Sequence, residues 1–280
     1  MNALLLGVSK DSLAFAKMIQ KANENTSENQ IVIDGVYCRD ISQTTMFAMS
    51  LNIKAYVSIE DALRNCDILF IAPPDSKLLR FTEGLKEYRI RNKILCHFSD
   101  KYDSTALYGG TTNTCYSINL PYGYDAKTFV CPPDAPIIVQ GSGKKDEIFR
   151  ATLENTIHNP VVYAGNTEKG IAAQAKRIMT CYTKVCVKTA MHLFKIAGIY
   201  HKDSFRYMCT HIMDEIAENP DNIPKLDATT LKKNRKLLAN LNYDDTDEFV
   251  RNMEVHIMRT SEYSQEEKQD IARILHCKYR

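Results

Sequence analysis

The residues best placed for ligand chemistry lie in the turn after the first apolar run. Ala3–Leu6 is wholly apolar, as expected of a strand buried on both faces, and it stops at Gly7. In dinucleotide-binding βαβ units this turn reads G-x-G-x-x-G, because the pyrophosphate approaches the backbone at the second glycine and the helix packs against the strand at the third. Ser9 and Ser12 occupy those two places here. We expect them to hydrogen-bond a phosphate or to cap the helix.

The same turn carries two charged residues of opposite sign. Asp11 opposes phosphate binding, whereas Lys10 is expected to offset that charge and to join the cofactor-binding residues. Two interpretations stay open from these residues: a dinucleotide-binding turn, or a plain strand-to-helix turn in a sheet that binds no ligand.

Arg39 follows the second apolar run, Ile31–Tyr37. An NAD-binding unit carries an acidic residue here for the ribose 2′-hydroxyl, whereas a guanidinium suits a 2′-phosphate. Arg39 therefore predicts a preference for NADP, and the alternative is an ordinary exposed arginine at the start of a helix.

His97 and Ser99 follow the predicted central strand Lys93–Cys96, at the edge where open α/β sheets bind ligands. His97 can orient a substrate or exchange a proton near neutral pH. The alternative is a histidine whose hydrogen bonds are satisfied at the end of a strand. Ser99 can donate to the same site or cap the next turn.

Composition excludes several classes of partner. A net charge of +2 with 25% charged residues predicts binding to neither nucleic acid nor a membrane surface. The nine cysteines include no C-x-x-C pair, so we expect no metal site and no covalent catalysis, but buried thiols kept reduced in the cytoplasm. We see neither a signal peptide nor a membrane-spanning run.

Apolar runs alternate with helical patterns up to about residue 164. This alternation predicts an α/β fold: a doubly wound, mostly parallel Rossmann-type sheet followed by an all-helical C-terminal domain. We place the two domains at 1–164 and 165–280. A long helix with one continuous apolar seam, Ile171 to Ile196, is expected over 168–198. Predicted strands lie near 3–6, 31–37, 55–57, 67–72, 93–96, 115–118, 137–139 and 161–163.

The assembled pattern resembles a bacterial family that has an N-terminal NADP-binding-type Rossmann domain and a helical C-terminal domain of unknown function. This family is related to pyrroline-5-carboxylate reductase and 6-phosphogluconate dehydrogenase. The resemblance covers Leu5 to about Leu241. The segments that carry it are Gly35–Arg39, Cys66–Asp75, His97–Ser99, Glu168-Lys169 and Ile223–Asp227. The chain departs from the family pattern at Asp100, Asn119-Leu120-Pro121, Ala172-Ala173 and Cys181.

The resemblance implies an NADP cofactor, with Pro73 and Ser99 among the residues that bind it. It also implies that Lys169 faces the nicotinamide, where a lysine can polarise a carbonyl or imine or hold a carboxylate. The alternative for Lys169 is a solvated lysine in the first turn of a helix. His97 and Lys169 would then form the catalytic pair on opposite walls of a cleft between the domains.

The function that follows is NADP-dependent transfer of hydride to or from a small carbonyl or imine substrate, with part of the usual catalytic site lost. Two alternatives stay open: a non-catalytic NADP(H)- or ligand-binding protein, and a structural dimer that binds no nucleotide. Because related reductases often pair through the helical half, we expect a homodimer that forms through the long helix.

Overall fold

The computed structural model describes residues 1–24, 31–107, 112–142, 145–220, 225–240, 244–260 and 263–277. The chain divides into two compact units, Met1–Cys181 and Tyr182–Arg280. The predicted segment of the resemblance at 223–227 lies partly outside the described residues. The predicted domain boundary at 164/165 stays a prediction.

The first unit is built on one eight-stranded sheet of order β3-β2-β1-β4-β5-β6-β7-β8. Strands β1 to β6 are parallel, β7 runs antiparallel to β6, and β8 is parallel to β7. The predicted mostly parallel, Rossmann-type α/β fold is thereby confirmed. The strands are β1 Asn2–Leu6, β2 Val32–Tyr37, β3 Lys54–Ala55, β4 Ile68–Ile71, β5 Ile94–His97, β6 Thr114–Asn119, β7 Ile137–Ser142 and β8 Val161–Tyr163.

Six helices belong to the first unit, and helices alone follow it among the described residues, as predicted. The first unit contains α1 Lys10–Glu24, α2 Ile41–Leu51, α3 Ile59–Arg64, α4 Asp75–Leu85, α5 Asp146–Thr156 and α6 Asn166–Arg177. The second contains α7 Thr183–Ile196, α8 Lys202–Glu218, α9 Ala228–Asn240, α10 Asp244–Thr260 and α11 Gln265–Ile274. A π-helical turn, Ile178–Tyr182, lies between α6 and α7, so the predicted single long helix is interrupted.

The sheet has an apolar core on each face, which explains why β1 is apolar at every buried position. Ala3 and Leu5 face one core, and Leu4 and Leu6 face the other. In the first core, three phenylalanine rings from α1, β4 and the segment after β5 pack with centroids 5.4, 5.5 and 5.9 Å apart: Phe15, Phe70 and Phe98. Such clusters of aromatic side chains bury large areas, and they fix α1 against the sheet.

The second unit has a small core of its own between α9, α10 and α11. It contains Leu231, Met258, Ile271, Ala272 and Leu275. Ser264 and Glu267 form a reciprocal capping box that starts α11. None of the helices among the described residues has the length and apolarity to cross a bilayer.

Candidate functional site

The sheet order reverses between β1 and β4, where chain connections leave in opposite directions. In open α/β sheets a crevice forms at this point, beyond the carboxyl ends of the strands. Gly7 lies there with φ +72°, a conformation that favours glycine. A Cβ at Gly7 would lie 3.3 Å from the carbonyl group of Ala72 and from the nitrogen of Pro73. Gly7 and Pro73, two predicted site residues, therefore lie next to each other where the strand order reverses.

Ser9 and Ser12 cap the start of α1 reciprocally. The Ser9 N–H donates to Ser12 Oγ at 3.0 Å, and the Ser12 N–H donates to Ser9 Oγ at 3.1 Å. Leu13 makes the first helical bond, to the Ser9 carbonyl. Because two N–H groups are used by the serines, those of Lys10 and Asp11 are left at this helix end to bind an anion.

Arg39 lies beyond the end of β2 on a backbone that its neighbours hold in place. Thr44 Oγ1 accepts from the Cys38 N–H at 2.9 Å, and the Asp40 carboxylate caps α2 through the Ser42 N–H at 2.8 Å. The Arg39 side chain is exposed and forms no ion pair with any residue that the structure describes. Its guanidinium is therefore available to a ligand at the carboxyl edge of the sheet.

His97 is fully buried, and both of its ring nitrogens contact backbone groups. The Ser99 N–H donates to Nδ1 at 3.1 Å, so the proton is on Nε2, which donates to the Asp103 carbonyl at 2.8 Å. Burial lowers the pKa of His97 to about 4, although the Asp103 carbonyl opposes that shift. The imidazole is therefore neutral, with its proton on Nε2, and its two hydrogen bonds hold the loop after β5 in place. Its catalytic role stays a prediction.

Lys169 anchors the same loop from α6. Its Nζ donates to the Ser99 carbonyl at 3.0 Å and to the Tyr102 carbonyl, and the residue is 4% exposed. Burial lowers the pKa of Lys169 to about 8, against the opposing charge of Asp100 and other nearby carboxylates. His97 and Lys169 therefore contact the same loop, and their placement on opposite walls of a cleft stays a prediction.

Ser99 joins these groups. Its Oγ accepts from the N–H groups of Lys101 and Tyr102 at 3.1 and 3.3 Å. Its carbonyl accepts from Lys169 and also from Asn119 Nδ2 at 3.3 Å. Ser99 thus caps the turn, the second of its two predicted roles, and connects the ends of β5 and β6 to α6.

Lys176, which no sequence motif indicated, connects two carboxylates near the start of α1. Its Nζ lies 3.0 Å from Asp100 Oδ2 and 3.6 Å from Asp11 Oδ1. Asn119 Nδ2 donates to the other oxygen of Asp100 at 2.7 Å. Lys10 is exposed, so Lys176 is the lysine that pairs with Asp11 in the structure. The available signal was spacing, because Lys169 and Lys176 are seven residues apart and share one face of a helix.

The charges of this cluster shift one another. Burial raises the pKa of Asp11, and the ammonium of Lys176 opposes that rise. Burial alone would lower the pKa of Lys176, but the two carboxylates raise it above its ordinary value. The contact between Asp11 and Lys176 therefore opposes the effect of burial on the pKa of each group.

The direction of β7 and the short length of β8 place the start of α6 near the segment that follows β5. β7 starts beside the end of β6 and runs back, and β8 follows it for three residues only. The chain then turns at Gly165, and Asn166 donates to the Asp103 carboxylate at 3.2 Å. From this start, α6 carries Lys169 to Ser99 and, about two turns later, Lys176 to Asp11 and Asp100.

The cysteines near strand ends are free thiols. Cys38 and Cys96 are buried, Cys115 and Cys131 are partly buried, and burial raises the pKa of each. In the described part of the chain, no group of three or more His, Cys, Asp or Glu side chains is arranged to hold a metal ion.

No protein-family profile matches the chain, and no curated protein matches it. Solved structures do share its fold. A candidate NADP oxidoreductase from Bacteroides fragilis has a TM-score of 0.70 at 13% identity, covering 91% of this chain and 97% of that one. An imine reductase from Myxococcus stipitatus, in complex with NADP+, has a TM-score of 0.61 at 14% identity, covering 92% and 93%. A protein from Thermotoga maritima has a TM-score of 0.59 at 12% identity, covering 90% and 98%.

At these identities the likenesses establish the fold over most of the chain. The relation to pyrroline-5-carboxylate reductase and 6-phosphogluconate dehydrogenase stays a prediction.

Proposed function

We propose that this chain is an NADP-dependent oxidoreductase that transfers hydride to or from a small carbonyl or imine compound. The observation that carries the proposal is the position of Gly7, at the point where the strand order reverses. A glycine with positive φ packs there against Ala72 and Pro73, at the strand ends where α/β sheets bind dinucleotides.

The residues around the crevice fit such a cofactor. The N–H groups of Lys10 and Asp11 and the positive end of α1 suit a pyrophosphate. The exposed guanidinium of Arg39 suits a 2′-phosphate, which an acidic residue would repel. Gly7 and Pro73 lie next to each other at the ends of β1 and β4. When bound, NADPH supplies the hydride.

The names of proteins with this fold support the class of reaction. The Bacteroides fragilis protein is a candidate NADP oxidoreductase, and the Myxococcus stipitatus protein is an imine reductase in complex with NADP+. We extend both the cofactor and the type of substrate from these proteins to the present chain.

Lys169 is the residue that we assign to the substrate. Two of its three N–H donors bind the Ser99 and Tyr102 carbonyls, and the third can donate to a carbonyl oxygen, an imine nitrogen or a carboxylate. Its lowered pKa, about 8, suits proton transfer near neutral pH. His97 acts as a positioning residue, because it fixes the Ser99–Asp103 segment on which Lys169 rests.

Calorimetric titration with NADPH and NADH tests the proposal first. We expect NADPH to bind more tightly. Absorbance at 340 nm, followed with NADPH and a panel of small cyclic imines, aldehydes and 2-oxo acids, then tests turnover. The absence of binding by either nucleotide would contradict the proposal and favour the structural alternative.

Lys169→Met should reduce turnover by about 10²–10⁴-fold, the usual cost of losing a general acid or base, while NADPH affinity changes little. Lys184→Met, an exposed lysine on α7, is the matched control. A protein that binds NADPH but turns over no member of the panel would favour the non-catalytic, NADP(H)-binding alternative.

A further inference from the structure

The Asp11 carboxylate occupies an unfavourable position for a protein that binds a diphosphate. It lies in the first turn of α1, beside the two N–H groups that are left to bind an anion. The Asp100 carboxylate lies near it, and both carboxylates contact the Lys176 ammonium. Two carboxylates and one ammonium give this cluster a net charge of about −1, which opposes the binding of a negatively charged dinucleotide.

Both carboxylates converge on Lys176. Its ammonium lies 3.6 Å from Asp11 and 3.0 Å from Asp100, and its side chain is 16% exposed. Asp100 has a second donor in Asn119, whose amide lies 2.7 Å from its other oxygen. Asp11 has a second favourable neighbour in the Tyr124 hydroxyl, which lowers the pKa of the carboxyl group. Each carboxylate therefore keeps a partner when the lysine is drawn toward another anion.

We propose that Lys176 is a cofactor-binding residue, which supplies the positive charge for the pyrophosphate of a pyridine dinucleotide at the start of α1. The inference rests on the proposed function. A lysine has a flexible four-carbon stem and three N–H donors, so its ammonium can contact a phosphate oxygen while it stays near Asp11. This assignment makes α6 part of the nucleotide site through Lys176, as well as part of the substrate site through Lys169.

Calorimetric titration of NADPH into matched variants tests the inference. Lys176→Met should weaken NADPH binding by about tenfold or more, because it removes a charge-assisted bond and leaves Asp11 to repel the ligand. Asp11→Asn should tighten binding. Combining the two should bring the affinity back toward that of the unmodified protein. Lys176→Arg, which keeps the charge, should bind within a few-fold of it.

Arg177→Met is the decisive control, because Arg177 is the neighbouring cation on α6 but is exposed. It should change NADPH affinity by less than about threefold. If Arg177→Met weakens binding and Lys176→Met does not, the inference is overturned. If Lys176→Met fails to fold, as judged by circular dichroism, the double variant is compared with Asp11→Asn alone, and equal affinities overturn the inference.

The outcomes separate this inference from the proposed function. An unmodified protein that binds NADPH, together with a Lys176→Met variant that binds it equally well, removes Lys176 and leaves the proposed function standing. An unmodified protein that binds no dinucleotide overturns both.

Discussion

Single residues decide which dinucleotide this site would prefer. Arg39 is exposed on a backbone that Thr44 and Asp40 hold in place. Charge-assisted bonds from its guanidinium to a 2′-phosphate contribute about 1.5–3 kcal/mol. Arg39→Ala should therefore lose about tenfold to a hundredfold in NADPH affinity and keep its NADH affinity, as measured by calorimetry.

Arg64→Ala is the control for that experiment, because Arg64 is also exposed but forms an ion pair with Asp61 on α3. Equal affinities of the unmodified protein for NADPH and NADH would remove the role that we give to Arg39.

His97 gives the fold a defined pH dependence. Its pKa is about 4 in the folded protein and about 6.5 in the unfolded chain, so the unfolded chain binds the proton more tightly. Above pH 6.5, His97 is neutral in both the folded and the unfolded state, and its protonation costs no stability. As the pH falls toward 4, the unfolded chain binds the proton first, and the free energy of unfolding falls by up to about 3 kcal/mol. Urea unfolding at several pH values should show this loss.

Comparison with His97→Gln isolates the contribution of the histidine, because the carboxylates titrate alike in both proteins. The difference in unfolding free energy between the two should shrink as the pH is lowered from 7 to 4. His158→Gln, an exposed histidine, should show no such trend. A constant difference for His97→Gln would mean that His97 titrates normally in the folded protein.

At the scale of elements, the turn between β1 and α1 stabilises the helix with N–H groups that could otherwise bind a ligand. The reciprocal serine cap uses two N–H groups that a G-x-G-x-x-G turn leaves to the pyrophosphate. Ser12→Gly should cost about 1–2 kcal/mol of unfolding free energy, through the lost cap and the glycine in the helix. It should also tighten NADPH binding, because the Ser9 N–H is released.

The measurements are urea unfolding and calorimetric titration on the same preparations. Ser50→Gly, at an exposed position of α2, measures how much unfolding free energy a glycine in a helix costs when the turn is unchanged. Weaker NADPH binding by Ser12→Gly would show that the serines contribute to the ligand site directly.

The sequence predicted the elements well because each leaves a local signal. The buried strands are apolar runs, and the helices have apolar residues at regular spacing, so each of the eight strands overlaps its predicted position, β3 by one residue only. The reversed direction of β7 and the π-helical turn after α6 left no such signal, since pairing direction and a one-residue change in helical winding depend on tertiary contacts.

The site was predictable where it depends on one turn and not where it depends on distant residues. Gly7, Pro73 and Arg39 lie at strand ends, as expected. The pairing of Asp11 with Lys176 joins the first helix to the sixth, and a single sequence does not show which of many lysines will meet a given carboxylate.

At the scale of the whole molecule, the exposed apolar side chains along 171–196 are the reason to expect the predicted homodimer. Large apolar side chains along 171–196 are exposed in the single chain, among them Ile171, Ile178, Tyr182 and Val185. Exposed apolar side chains in such number are typical of an interface with another protein. We expect sedimentation equilibrium at tens of micromolar to give a dimer, and Val185→Glu to shift it toward monomer.

Lys184→Glu introduces the same acidic residue at the neighbouring exposed position and should leave the dimer intact. An unmodified protein that sediments as a monomer at these concentrations would exclude a stable dimer.

The position of Lys176 in the chain also sets when the proposed ligand site can become complete during synthesis. Translation produces β1 to β6 before α6, and all of these elements belong to one unit. Until Lys176 leaves the ribosome, Asp11 and Asp100 lack the ammonium that they share in the finished fold. We therefore expect a nascent chain that ends before α6 to have low affinity for a dinucleotide.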